Sequence, residues 1–85
     1  VDVLVIERDR QPMGTTAMST GLIPAAGSKL QRAAGIEDSP DLFARDIAAK
    51  AKHKVDLALV ERLAAESAAT VDWLVDRHGV QLSLV

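Results

Sequence analysis

The chain has 85 residues, no cysteine and a formal net charge of -2, which is room for one small domain without a disulfide or a thiolate metal site. Its basic residues are scattered and its aromatic side chains are only Phe43 and Trp73, so it lacks the positive footprint and the stacking surface that nucleic-acid binding requires. Its longest apolar stretch falls far short of the roughly 20 residues that span a bilayer, and a soluble, cytoplasmic chain is the default expectation.

Residues Val1 to Ile6 form a nearly continuous run of β-branched and leucine side chains, interrupted only by Asp2. That pattern predicts a strand buried on both faces, as in a parallel sheet, beside a neighbouring strand upstream. The polar stretch Glu7 to Pro12 leads out of it and ends in a residue that blocks helix. Met13 to Gly27 holds three glycines, several small side chains and Pro24. It reads as a packed but irregular segment that lets something approach its backbone closely.

Ser28 to Ala34 predicts one or two helical turns closed by Gly35. Asp38-Ser39-Pro40 is a helix-start signal, with Ser39 as N-cap and Pro40 at the first helical position. The helix is expected to run to about Lys52, with Leu42, Phe43, Ile47 and Ala51 on one face. Lys50, Lys52 and Lys54 suit the negative pole of its dipole. Asp56 caps a longer helix from about Leu57 to His78, whose apolar stripe is Val60, Leu63, Ala64, Ser67, Val71, Leu74 and Val75. Gly79 is its left-handed stop. Val80 to Leu84 alternates apolar and polar, as a half-exposed strand does. The fold class that follows is α/β: a buried strand, an irregular segment, two amphipathic helices and a short C-terminal strand.

Glu7 closes the first predicted strand. In dinucleotide-binding folds an acidic residue there accepts hydrogen bonds from a ribose hydroxyl, about 20 residues beyond a glycine-rich phosphate turn. A solvated glutamate at a strand exit is the plain alternative, and on the strand and the acid alone it is the stronger one. The stretch from Gly14 to Gly21 offers backbone N–H groups bare enough to reach phosphate or ring oxygens, with Thr and Ser hydroxyls beside them. A tight structural turn accounts for the same composition. His53 and His78 suit exposed positions at helix C-termini and have no ligand cluster around them, so neither is assigned a metal or catalytic role. Trp73 reads as a core or interface anchor. Glu61, Arg62, Glu66, Asp72, Asp76 and Arg77 read as the solvated face of the long helix, with Arg62 and Glu66 spaced to pair.

Taken in order, the strand and Glu7, then Gly14-Thr15-Thr16-Ala17-Met18-Ser19-Thr20-Gly21, Ala25-Ala26, Ile36-Glu37-Asp38-Ser39-Pro40-Asp41-Leu42, Leu59-Val60 with Ser67, and Val71-Asp72-Trp73-Leu74 before Gly79-Val80 resemble the FAD-binding flavoproteins of the fumarate reductase, succinate dehydrogenase and 3-ketosteroid dehydrogenase group. The resemblance covers nearly the whole chain. It departs at Met13-Gly14 and Gly21-Leu22, where the family often has paired glycines.

The resemblance implies a portion of a Rossmann-like FAD-binding domain over residues 1–85, without the dinucleotide turn and without the catalytic region. It implies FAD as cofactor. It places Glu7 on the adenosine ribose, Gly14, Thr15 and Thr16 towards the pyrophosphate and flavin side, and Ser19, Thr20 and Gly21 near the isoalloxazine ring. No catalytic residue is implied within the chain. The activity implied for the full-length protein is oxidoreduction of a CH–CH group, with a fumarate-like dicarboxylate or a 3-ketosteroid as substrate and the rest of the flavoprotein chain as partner. Two other readings stand beside it: an NAD(P)-binding Rossmann fragment using Glu7, against which the Gly14–Gly21 segment argues, and a non-catalytic helical interaction module.

Overall fold

The computed structural model describes residues 1–85 and contains four helices. In chain order they are α1 (Thr15–Met18), α2 (Lys29–Ala33), α3 (Pro40–Lys50) and α4 (Leu57–His78). The expected α/β architecture is not observed, because the chain contains no strand and no sheet. Val1–Ile6 is exposed throughout rather than buried, and it makes no backbone hydrogen bond to any other segment. The physical reason is that a strand exists by pairing, and no second segment of these 85 residues lies alongside to complete its ladder. The same holds for the expected C-terminal strand. Val80 N–H bonds back to the Leu74 carbonyl at 3.1 Å as part of the helix end, and residues 81–85 pair with nothing.

The helix boundaries follow local chemistry closely. Ser39 caps α3 by accepting from Leu42 N–H at 3.2 Å, with Pro40 at the start. Asp56 caps α4 by accepting from Leu59 N–H at 3.3 Å. Gly79 ends α4 in the left-handed conformation at φ 62°, a backbone region that costs a residue with a Cβ about 1–2 kcal/mol. The third helix stops at Lys50, short of the expected Lys52. Lys52 and His53 instead turn left-handed, and His53 N–H reaches the Ala48 carbonyl at 2.7 Å.

Packing is concentrated where α3 lies against α4 and where Ala26–Ser28 lies against α4. The buried apolar residues are Ala26, Ala48, Val60, Ala64 and Val71. All are small or medium in size, so the helices meet through a thin seam. Fully burying each of the two valines stabilises by about 2 kcal/mol. Leu63, expected on the apolar stripe, is exposed, and so is Leu42 on α3. Met13–Gly21, expected to be packed, is exposed as well, and burial begins only at Ala25. No helix is long and apolar enough to cross a membrane.

Candidate functional site

The residues singled out by the sequence fall on the exposed N-terminal arm. Glu7 accepts a hydrogen bond from Asp9 N–H at 2.9 Å through Oε1, which bends the chain back on itself. Gly14 precedes α1 with φ 117°, and Gly21 follows it with φ 78°. A Cβ at either glycine would find nothing within 4 Å, so the backbone is bare on that side. Ser19 Oγ accepts from Gly21 N–H at 3.0 Å, holding the exit of the short helix in a turn. Thr15, Thr16, Ser19 and Thr20 are all exposed, and no side chain caps α1.

These positions are not gathered into one groove. Glu7, Gly14, Thr15, Thr16, Ser19 and Thr20 line none of the cavities, whereas Gly21 lines one. That cavity lies between the Gly21–Ala25 segment, the first turn of α2, Val71 of α4 and the C-terminal segment, with Leu22, Leu30, Leu82 and Leu84 giving it a largely apolar wall. A mostly apolar group fits such walls better than a charged one does.

What the sequence did not reveal is how the far end of this segment is held. Ser28 and Gln31 form a reciprocal capping box at the start of α2: Gln31 N–H donates to Ser28 Oγ at 3.3 Å and Ser28 N–H donates to Gln31 Oε1 at 3.0 Å. Gln31 Nε2 in turn donates to Asp38 Oδ2 at 2.9 Å. Arg32 Nη1 donates to the Gly27 carbonyl. Two residues of α4 complete the attachment: Ser67 accepts from Ala26 N–H at 3.2 Å, and Asp72 accepts from Lys29 N–H at 2.9 Å. Asp72 thus leaves the solvated face to which its spacing assigned it. The signal for Ser67 was present in its position, since a hydroxyl within an apolar stripe demands a partner.

Around this attachment Lys29 pairs with Asp76, and the Arg32 guanidinium lies 3.6 Å from Asp72. The hydrogen bond that Lys29 donates to Asp76, and then the charge of Asp76, hold the Lys29 ammonium above its ordinary value of 10.5. Arg62 and Glu66 pair at 3.2 Å on the exposed face, as their spacing predicts. Trp73 is not a core anchor: it is about half exposed, with its ring edge-on to His78 at a centroid distance of 4.2 Å.

Comparison with known proteins bears on the same residues. The profile of the family described as FAD binding domain matches residues 1–84. A fumarate reductase of Schizosaccharomyces pombe is 31% identical over 81 residues, covering 95% of this chain and 16% of that protein. Fumarate reductase 1 of Saccharomyces cerevisiae is 31% identical over 85 residues, 100% of this chain and 18% of the relative. A fumarate reductase (cytochrome) of Shewanella frigidimarina is 33% identical over 72 residues, 85% of this chain and 13% of the relative. The chain therefore spans less than a fifth of the length of these curated relatives. No solved structure matches it.

Proposed function

The chain belongs to the FAD binding domain family, and from that premise we propose that it contributes part of the flavin-nucleotide site of an oxidoreductase acting on a CH–CH bond, with fumarate-like dicarboxylates as substrate class. The observation that carries this reading is the end-to-end family match, joined to relatives that bear the name fumarate reductase. Ketosteroids, the other substrate class suggested by the residue pattern, rank second because none of the relatives compared above bears such a name.

The residues present fit the cofactor in their chemistry. The Glu7 carboxylate is exposed and, when ionised, accepts hydrogen bonds only, which suits ribose hydroxyl donors. Gly14 and Gly21 leave their backbone uncovered where a Cβ would project, which suits close approach by a pyrophosphate or a ring edge. Thr15, Thr16, Ser19 and Thr20 add hydroxyls that donate or accept without adding charge. A four-residue α1 contributes little dipole, so these neutral groups and backbone amides are the donors that matter. When bound, FAD supplies hydride transfer to or from the substrate carbon, and the protein supplies position and electrostatics. No residue of this chain is assigned to the chemical step.

A visible-absorbance scan of the gently purified full-length protein tests the cofactor, with flavin bands expected. Adding fumarate to the chemically reduced protein tests the substrate class, with reoxidation of the flavin and formation of succinate expected. A flavin-free protein that does not take up FAD would overturn the reading. Flavin reoxidised by an unsaturated ketosteroid and not by fumarate would transfer the assignment to the second substrate class.

A further inference from the structure

Between Gly21 and α2 the chain has almost no hold of its own. Residues 22–25 make no hydrogen bond within the protein, so the course of this segment is decided at its two ends. At the near end stands the Ser19–Gly21 turn. At the far end the backbone enters the only part of the segment that is buried, with Ala26 and Ser28 each less than a twentieth exposed. There the two long-range bonds to α4 act. The Ser67 hydroxyl donates to the Ala64 carbonyl at 2.8 Å, which turns its acceptor side towards Ala26 N–H. Asp72 receives Lys29 N–H, and its side chain is only 18% exposed, which strengthens a bond to an ionised acceptor. The two α4 side chains stand about one and a half helical turns apart, and they grip the backbone at both ends of the Ala26–Lys29 stretch.

We propose that Ser67 and Asp72 are positioning residues for the flavin: by holding the backbone at Ala26 and Lys29 against α4, they set where the adjoining Gly21–Ala25 wall of the apolar cavity stands. The inference rests on the flavin reading above. It adds that a polar pair on α4, outside the residues expected to meet the cofactor, sets the shape of the wall beside them. Neither residue touches the cofactor in this scheme. Their effect is carried towards Gly21 by residues 22–25, four residues that make no hydrogen bond of their own.

The test uses the full-length protein, loaded with FAD, and compares Ser67→Ala, Ser67→Thr, Asp72→Ala and, as a control on the exposed face of α4, Glu66→Gln. Ala at position 67 raises helix propensity, so α4 itself survives the change. Ser67→Ala and Asp72→Ala are each expected to weaken FAD binding about tenfold. They are also expected to alter the visible circular dichroism of the bound flavin and its midpoint potential. Ser67→Thr, which keeps a hydroxyl, restores the wild-type spectrum, and Glu66→Gln never departs from it. Wild-type affinity, potential and visible dichroism in both alanine variants would overturn the proposal. Flavin loss that is accompanied by loss of far-ultraviolet helix signal in both would show a purely structural role and overturn it equally. A wild-type protein that takes up no FAD overturns the flavin reading itself, and the positioning role falls with it.

Discussion

The first 21 residues and the stretch from Ala26 to His78 follow opposite rules. The N-terminal arm holds an apolar run as continuous as that at the start of α4, and richer in β-branched side chains, yet Val3, Leu4, Val5 and Ile6 remain at least 80% exposed. The second region is richer in alanine and charge, yet it contains every buried residue. Apolar character alone therefore does not bury a segment. Burial requires a complementary face, and α3 and α4 provide one for each other, while the arm has neither a pairing edge nor an apolar surface to meet. The arm carries the residues that the family resemblance assigns to the cofactor, and the helical region carries the order.

Three changes would break or sharpen this contrast. The largest effect is expected at Ala64, which is completely buried in the seam. Ala64→Leu forces extra methylenes into a close helix contact and is expected to destabilise the helical region by about 1–3 kcal/mol. Faster amide hydrogen exchange along α4 would register it, and unchanged protection would show the seam to be looser than its geometry implies.

A smaller, pH-dependent effect is expected at Lys29. Its ammonium is held above 10.5 by the hydrogen bond and charge of Asp76, so its contribution is fully present below pH 10.5 and is lost as the pH rises through the higher folded value. The melting temperature of Lys29→Met should therefore fall slightly below that of the parent chain at neutral pH, and the gap should close above pH 10.5. A gap that persists at high pH would mean that the side chain acts through packing rather than charge. The smallest effect is expected in the arm. Val5→Ser in the 85-residue chain should change stability by no more than about 0.5 kcal/mol, because the valine loses no contact. A larger loss in a denaturant titration would reveal packing of the arm that the extended conformation does not show.

How much of this was legible beforehand depends on the range of the interaction. The Ser39-Pro40 start, the Asp56 cap and the Gly79 stop were all readable, because each is a bond or a steric limit within a few residues. Burial along α4 was readable only in part. Val60, Ala64 and Val71 face inward as the period requires, whereas Leu63, one position from Ala64, turns outward because the partner surface is narrower than the stripe. The tie from Asp72 to Lys29 was not readable, since nothing local marks which of several acidic residues on one helix will meet a backbone N–H 43 positions away. Glu7 and the Gly14–Gly21 stretch were expected to meet a cofactor through family resemblance, residue type alone favouring a solvated acid and a structural turn, and the structure does not gather them into one cavity.

Taken by itself, the order of amino acids determined where α3 and α4 begin, where α4 ends, and membership in an FAD-binding family, because caps, stops and ordered motifs are local or linear properties. Only the tertiary structure decided that the apolar run at Val1–Ile6 forms no sheet, that the seam is built from alanine and valine, and that Ser67 and Asp72 hold the Ala26–Lys29 backbone. Those outcomes depend on which surfaces meet in space, and a strand, a core or a long-range hydrogen bond has no existence until its partner arrives.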